Sequence, residues 1–161
     1  MDIISYYTNA DGEEVKKSDS FKVLMLVGGK LLLIHNELTP DRLTMPGGRA
    51  HVGETLQQTL EREFFEETGV PAALHVGALV YEQRHVFRSP VTEVLCDMTN
   101  HYYTCAPADY AAVRGLHFYD LDVAESTVSY IHEKGAVRAL RDSLGMGHIG
   151  DHASTPIPVG L

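Results

Sequence analysis

The chain has 161 residues, of which 22 are acidic and 13 basic, and its formal net charge is −9. The length is typical of one domain with a substantial core, and the apolar content of 44% is ordinary for a globular protein. The acidic balance without a basic patch argues against nucleic-acid binding, and the lack of about eighteen consecutive apolar residues argues against a membrane span.

The first residues and the two cysteines indicate the cellular compartment of the protein. Residues 1–6 lack the basic start and apolar core of a secretory signal. Cys96 and Cys105 fit neither a zinc-ligand pattern nor a disulfide framework. We therefore expect a protein of a reducing compartment, the cytoplasm.

The first quarter of the chain is predicted to form short strands, because apolar residues are concentrated between turn signals. The predicted strands are residues 2–8, 21–27, 30–35 and 43–45. Gly28 and Gly29 form a tight turn, so the second and third strands make a hairpin. The polar residues 12–20 and 36–42 are predicted to be loops.

A helix is predicted from about Glu54 to Gly69. Thr55 and Gln58 have the spacing of a capping box. Gly69 is typical of a left-handed helix end, and Pro71 prevents continuation. Three apolar residues at i, i+4 and i+8 form the packing stripe of this helix, and they are Leu56, Leu60 and Phe64.

The second half of the chain is predicted to contain a long strand pair and one more helix. Residues 73–88 and 91–104 are the paired strands, residues 106–115 a loop with a helical turn, and residues 116–120 a further strand. The helix is predicted to start near Ser126, and Gly135 is a position at which it can bend or split. Its predicted inward face is Val128, Ile131, Ala136, Leu140 and Leu144.

Three glutamates on the first helix form an acidic face. Glu63, Glu66 and Glu67 are at i, i+3 and i+4 and fall within an arc of about 100°. Like charges this close repel, and a hard divalent cation that prefers carboxylate oxygens would remove the repulsion. Arg62 lies four residues before Glu66 and can orient a carboxylate through its planar fork.

The segment from Gly48 to Val70 resembles the Nudix box of the MutT-like pyrophosphohydrolases. Its spacing is G-x5-E-x7-R-E-U-x-E-E-x-G-U, where U is a bulky apolar residue. The matching residues are Gly48, Glu54, Arg62, Glu63, Phe64, Glu66, Glu67, Gly69 and Val70. Phe64 replaces the usual aliphatic residue, and His51 stands where many members have an acid; neither change removes a core ligand of the box.

The resemblance implies an α/β fold, the Nudix α/β/α sandwich with a mixed central sheet and the box as a loop-helix-loop. We expect a single domain over residues 1–144 and an irregular tail over residues 145–161, which is rich in glycine and proline. The implied cofactor is Mg²⁺, with Mn²⁺ as an alternative. The expected partner is a small-molecule nucleotide or other diphosphate, with no nucleic acid and no membrane, and a homodimer is compatible with the resemblance.

The resemblance also implies roles for the box residues. Glu63, Glu66 and Glu67 would be metal ligands together with the carbonyl of Gly47. Either Glu63 or an acid outside the box would take the proton from the attacking water, and Glu54 would support the site from the first turn. Gly47 and Gly48 would let the backbone approach metal and phosphates closely.

Several residues outside the box are weaker candidates, because each is typical of a surface or core position. The candidates for an extra ligand or base are Glu82, Glu93, Asp120, Asp122, Glu125 and His117. The candidates for stacking a nucleobase are Tyr81, Phe87, Tyr102, Phe118 and Tyr119.

The predicted activity is metal-dependent hydrolysis of a diphosphate bond in a nucleoside diphosphate linked to another moiety. Two alternatives stay open: a diphosphate isomerase on the same scaffold, for which Cys96 is the loose catalytic candidate, and a non-catalytic nucleotide-binding module. Residues 85–87 lack the downstream proline of ADP-ribose hydrolases, and residues 88–89 lack the tyrosine of dinucleoside polyphosphate hydrolases. These absences favour a nucleoside triphosphate or an uncharted diphosphate.

Overall fold

A mixed β-sheet lies between helices on its two faces in the computed structural model, which describes residues 1–37 and 40–147, without the side chains of 146 and 147. The strands are β1 (Ile4–Thr8), β2 (Glu14–Val27), β3 (Lys30–Leu32), β4 (Ile34–His35), β5 (Leu43–Thr44), β6 (Gly47–Gly48), β7 (Leu74–Arg88), β8 (Leu95–Pro107) and β9 (Phe118–Tyr119). The helices are α1 (Leu56–Thr68), α2 (Leu121–Thr127) and α3 (Ile131–Gly147), with a 3₁₀ turn at Tyr110–Val113. None of the helices in this described part combines the length and apolarity needed to cross a bilayer.

The sheet is organised around β2. Its strands follow the order β7-β8-β2-β3-β9, and β1 and β6 also pair with β2. β2 and β8 run parallel in register from Val15 opposite Leu95 to Met25 opposite Cys105. The other pairs are antiparallel, including the short β4–β5 ladder beside the main sheet. This pairing brings the glycine pair of β6 against the middle of β2, where Phe21 lies opposite Gly48.

The predicted loop at residues 12–20 is wrong, because β2 already begins at Glu14. Val15, Ser18 and Ser20 are buried, and both edges of this segment are paired, with β1 on one side and β8 on the other. Backbone pairing therefore compensates for the polar composition. The sequence alone gives no sign of it because β8 lies about 80 residues away in the chain.

Helix α1 covers one face of the sheet as predicted. Leu60 and Phe64 are fully buried in a cluster with Val23, Met25 and Tyr103. The Thr55–Gln58 capping box and the left-handed Gly69, with φ 75°, are both present. The rigid packing of this helix fixes where its acidic face can point.

The other face carries α2 and α3, so the predicted α/β/α sandwich with a mixed sheet is confirmed. The prediction of a single helix from Ser126 is wrong, because the chain is extended at Val128 (ψ 148°) between the two helices. Gly135 does not bend α3; a Cβ there would lie 2.4 Å from the Tyr81 hydroxyl, so it allows the helix to approach β7 closely.

The inward face of α3 is partly as predicted. Val128, just before α3, Ala136 and Leu140 are buried, but Ile131 is 86% exposed because it lies about 140° around the helix from Ala136. Leu144 is also exposed, and Val137 packs in the core instead. The helix ends at Gly147, three residues into the segment predicted to be irregular, and residues 148–161 lie outside the described residues.

Candidate active site

Glu67, near the end of α1, faces the glycine pair. Its Oε1 accepts a hydrogen bond of 2.8 Å from the backbone nitrogen of Gly47. Burial raises the pKa of Glu67 to about 7, although the Gly47 hydrogen bond and the charge of Lys22 oppose the rise. A carboxyl pKa this high means that nearby hydrogen bonds and positive charges do not fully compensate the charged form for its loss of solvation.

Arg62 connects the remaining acids of the box. Its guanidinium donates to Glu54 at 2.7 Å, to Glu63 at 2.9 Å and to Glu66 at 3.2 Å. It also donates to the backbone oxygen of Arg49 at 2.8 Å. The hydrogen bond from Arg62 lowers the pKa of Glu54 to about 2, and the Glu54 bond in turn raises the pKa of Arg62. Glu54 thus pairs with Arg62 through two hydrogen bonds, to Nε at 2.7 Å and to Nη2 at 3.0 Å.

Neither glycine of β6 leaves room for a side chain. Gly47 has φ 151°, and a Cβ on it would lie 2.2 Å from the Phe21 carbonyl oxygen. A Cβ on Gly48 would lie 2.5 Å from the Oε1 atom of Glu63. The backbone of β6 therefore lies directly against Phe21 of β2 and Glu63 of α1.

The acids of α1 open into a cleft with a volume of about 380 Å³. It is lined by Lys22, Asn36, Glu37, Thr44, Gly47, Glu63, Glu66, Glu67 and Tyr130. The structure thus brings together the three glutamates and Gly47, which were predicted. Lys22 was missed, although a lone cation within the apolar strand 21–27 is a signal that could have identified it.

The type of donor in this cleft suits a hard cation, since carboxylate and carbonyl oxygens are the ligands that Mg²⁺ prefers. Within residues 1–37 and 40–147, no three His, Cys, Asp or Glu side chains already stand as a ready coordination shell. The contacts explain this: Arg62 engages Glu63 and Glu66, and Gly47 engages Glu67. The residues fit a cation in chemistry and position, and ligation would require these contacts to be exchanged.

A larger cavity of about 700 Å³ lies next to the cleft and shares Lys22 and Tyr130 with it. Of the predicted stacking residues, Phe87 lines this cavity. Tyr102 is fully buried in the core, Tyr81 and Tyr119 pack against the same core cluster, and Phe118 packs against the cluster under α1. His85 and His132, which the sequence reasoning did not select, line the cavity instead.

The weaker acidic candidates do not line the cleft. Glu82 contacts His101 at 2.5 Å, Asp122 pairs with Arg141, and Glu125 pairs with Arg138. Glu93 lies at the tip of the β7–β8 hairpin, Asp120 directly precedes α2, and His117 lies on an exposed loop. Among the residues that the structure describes, Glu37 is the acid outside the box that lines the cleft.

Cys96, the residue on which the isomerase alternative depends, is buried in β8. It lines neither the cleft nor the cavity beside it. Its Sγ lies 3.5 Å from the Val94 backbone oxygen. The thiol therefore has a structural environment away from the acidic face of α1.

The chain matches one family model and resembles several solved structures. The family model described as NUDIX domain matches residues 16–125. No curated protein sequence matches the chain. The solved structure of the E. coli dihydroneopterin triphosphate pyrophosphohydrolase is 17% identical, with 74% of this chain and 91% of that chain covered and a TM-score of 0.60.

Two further solved structures resemble this chain. A UDP-X diphosphatase is 16% identical, with 82% of this chain and 64% of that chain covered and a TM-score of 0.57. An ADP-ribose pyrophosphatase from Streptococcus suis is 14% identical, with 77% of this chain and 87% of that chain covered and a TM-score of 0.50. At these identities the likeness establishes a common fold, and the substrates differ among the three proteins.

Proposed function

The chain belongs to the NUDIX family, and on that premise we propose that it hydrolyses a diphosphate bond in a nucleoside diphosphate linked to another moiety. The observation that carries the proposal is the cleft that Glu63, Glu66 and Glu67 share with Gly47 and Lys22. Carboxylates can hold a cation there, and the amine can neutralise phosphate oxygens beside it. A diphosphate fits this arrangement, because one phosphate can contact the bound cation and the adjacent one can contact the Lys22 amine.

The proposed cofactor is Mg²⁺, with Mn²⁺ as an alternative, held by Glu63, Glu66 and Glu67 together with the Gly47 carbonyl. When bound, a divalent cation neutralises phosphate oxygens and lowers the pKa of a coordinated water. The raised pKa of Glu67 supports this assignment, because its carboxyl group is partly buried and receives one backbone hydrogen bond. Binding of a cation would favour its charged form.

Arg62 has a positioning role in this proposal. Glu54 anchors the guanidinium, which holds Glu63 and Glu66 on the side of α1 that faces the cleft. The planar fork of arginine satisfies several carboxylates at fixed angles, which a lysine could not do. Glu54 therefore acts on the reaction through Arg62.

Two acids remain candidates for the group that takes the proton from water. Glu63 is in the box, with a side chain only 14% exposed. Glu37 lines the same cleft from the loop after β4. A general base must lie within hydrogen-bond reach of the water in the substrate complex, and both residues line the cleft.

The proposal is tested by a substrate panel in ¹⁸O-labelled water with Mg²⁺ or Mn²⁺. The panel contains canonical and oxidised nucleoside triphosphates, ADP-ribose, nucleotide sugars and dinucleoside polyphosphates. We expect one member to yield a nucleoside monophosphate or sugar phosphate, with the label, read by mass spectrometry, on a phosphate of a product. Label on no product of any member, or label only in orthophosphate released from monoesters, would overturn the proposal.

A further inference from the structure

We propose that strand β1 (Ile4–Thr8) is the contact through which two copies of this chain associate, by antiparallel backbone pairing that joins their two sheets into one. β1 pairs with β2 on one side. From Ile4 to Thr8, its other edge pairs with no strand in the part of the chain that the structure describes. Association through β1 does not depend on the proposed hydrolysis, since neither the cleft nor α1 takes part in it.

The open edge of β1 lacks the features that usually block such edges in soluble proteins. Free N–H and C=O groups at an edge recruit another strand unless charged side chains, proline, a bulge or a covering element prevents it. Residues 3–10 (I-I-S-Y-Y-T-N-A) contain no charged residue and no proline, and the ladder with β2 runs without a register shift. Every residue of β1 except Ser5 is β-branched or aromatic, which favours an extended backbone.

The two ends of the main strand order show the contrast. β7 is the outer strand at one end, and its ladder with β8 is interrupted by register shifts between Val76 and Tyr81. β7 also carries Glu82, Arg84 and Arg88 along its length. β9, at the other end, has only two residues. Bulges, charges and short length all oppose pairing with another chain, and β1 has none of these protections except its moderate length.

β1 is held in place along its length, so it is already shaped for pairing. Before the strand, the Ile3 nitrogen donates to a backbone oxygen of the loop before α1 at 2.9 Å. After it, the Asn9 nitrogen donates to the Glu13 oxygen at 2.9 Å and closes the turn into β2. The Tyr7 hydroxyl donates to the buried Asp97 carboxylate at 2.8 Å. A strand fixed in this way loses little conformational entropy when it pairs again.

The distribution of charge favours a second copy in the antiparallel orientation. A net charge of −9 makes two chains repel each other as wholes, so they can meet closely only at an uncharged surface. The acids that flank the uncharged segment are Asp2 and Asp11. An antiparallel pair centred on Tyr6, the middle residue of β1, places Asp2 of one copy opposite Ala10 of the other. A parallel pair would place the two copies of Asp2 side by side.

Exposed apolar side chains beside the open edge add to the surface that pairing would bury. Ile3 is 52% exposed and Tyr6 59% exposed. Val52 is 69% exposed and lies beside the start of the chain, where its nitrogen donates to the Met1 oxygen at 2.8 Å. Stable interfaces bury about 1,200–2,000 Å² in total. One short strand with these neighbours is at the lower end of that range, so the dimer should dissociate on dilution.

The test measures the oligomeric state of the full chain by sedimentation velocity, from low micromolar to near-millimolar concentration. We expect a monomer at the lowest concentration and a dimer at the highest. Added salt should strengthen association, because it screens the repulsion between the net charges and the contact contains no ion pair. Antiparallel pairing adds hydrogen bonds to alternate amides of β1, so their hydrogen exchange should slow by roughly tenfold or more as the dimer forms.

Variants with opposite charges at Tyr6 test the two-fold arrangement. Tyr6→Lys and Tyr6→Glu each bring like charges together near the axis and should weaken the dimer by roughly tenfold or more. An equimolar mixture of the two variants should recover association, because opposite charges then face each other. Tyr110→Lys is the matched control: Tyr110 is 56% exposed on the 3₁₀ turn after β8, and this variant should associate as the wild type does.

A chain that stays monomeric at every concentration would overturn the inference and leave the edge of β1 for an extended peptide of another protein. A dimer that survives Tyr6→Lys unchanged, with no slowing of exchange in β1, would also overturn it by locating the interface elsewhere. Absence of recovery in the mixture of folded variants would contradict the antiparallel pairing. If Tyr6→Lys does not fold, as judged by circular dichroism, Ser5→Lys at a neighbouring exposed position replaces it.

Discussion

Glu67 Oε1 lies 2.8 Å from the backbone nitrogen of Gly47, so a hydrogen bond joins α1 to β6, the strand at the start of the box. The bond turns a half-buried carboxyl group toward the cleft and leaves its other oxygen for a further partner. Together with the hold of Arg62 on Glu63 and Glu66, it arranges three acids around one space.

The first prediction concerns the charge of these acids. Glu66→Gln and Glu67→Gln should each reduce turnover by roughly 10–100-fold or more, because each removes ligand charge with little change in volume. Steady-state kinetics at saturating Mg²⁺ measures the effect, and chelation of the metal should abolish activity in the wild type. Near-native rates in both variants would mean that the acidic face is only a solvated surface and does not take part in catalysis.

A matched control is available on the same helix. Glu61 lies outside the cleft, and its Oε2 accepts a hydrogen bond of 2.8 Å from the Leu74 nitrogen. The amide oxygen of Glu61→Gln can still accept that bond, so this variant should retain both activity and fold. Loss of activity in Glu61→Gln as well would show that α1 tolerates no change in charge, irrespective of the cleft.

The second prediction concerns pH and uses the metal-free protein. The pKa of Glu67 is raised from an ordinary value of 4.5 to about 7, so between these values the folded chain holds a proton that the unfolded chain has released. The free energy of unfolding should therefore fall as pH rises through this window. Urea unfolding in the presence of chelator from pH 4.5 to 7.5 measures the slope.

Glu67→Gln provides the comparison, because glutamine does not titrate. Burial also raises the pKa of Glu133, which contributes to the slope in both proteins. The difference between the wild-type and variant curves therefore isolates Glu67. Identical slopes would contradict the raised pKa.

The third prediction tests how α1 is held on the sheet. Leu60 is fully buried, so Leu60→Ala should lower the free energy of unfolding by about 2–5 kcal/mol. Leu144→Ala is the matched control, since Leu144 is 41% exposed and should change stability by at most about 0.5 kcal/mol. Denaturant midpoints measure both, and an unchanged midpoint for Leu60→Ala would contradict the packing described here.

The features predicted correctly are those encoded within one local stretch. The helix α1 was predictable because its cap, its apolar stripe and its terminating glycine all lie within 15 residues, from Thr55 to Gly69. The first half of β2 was not, because its polar residues are compensated by strands β1 and β8. The break between α2 and α3 at Val128 has no proline or glycine to mark it.

The candidate site divides in the same way. The box carries Glu54, Arg62 and the three glutamates in one segment, and the i,i+4 spacing of Arg62 and Glu66 predicts their contact. Lys22 reaches the cleft from β2, and Glu133 lines the neighbouring cavity from α3. Only the pairing of distant strands and the packing of α3 bring these two residues there. From the sequence alone, Glu133 would be assigned to the surface, and only the structure shows that it is buried.

The last prediction concerns Gly48, whose backbone is not in the left-handed region, so alanine causes no conformational strain there. A Cβ at this position would lie 2.5 Å from the Glu63 carboxyl carbon and Oε1. The carboxylate ends a flexible side chain and can move aside, so Gly48→Ala should keep the fold and displace Glu63 from the cleft. Displacement of a site group by about 1 Å can cost on the order of 10²-fold in rate.

We therefore expect Gly48→Ala to lower turnover by roughly 10²-fold with little change in the thermal midpoint. Gly115→Ala is the matched control, because no atom lies within 4 Å of a Cβ there, and it should retain both activity and midpoint. Steady-state kinetics and thermal unfolding followed by circular dichroism measure the two effects separately. Native turnover in Gly48→Ala would mean that the Glu63 carboxylate can leave its position without loss of catalysis, and its role in the site would have to be abandoned.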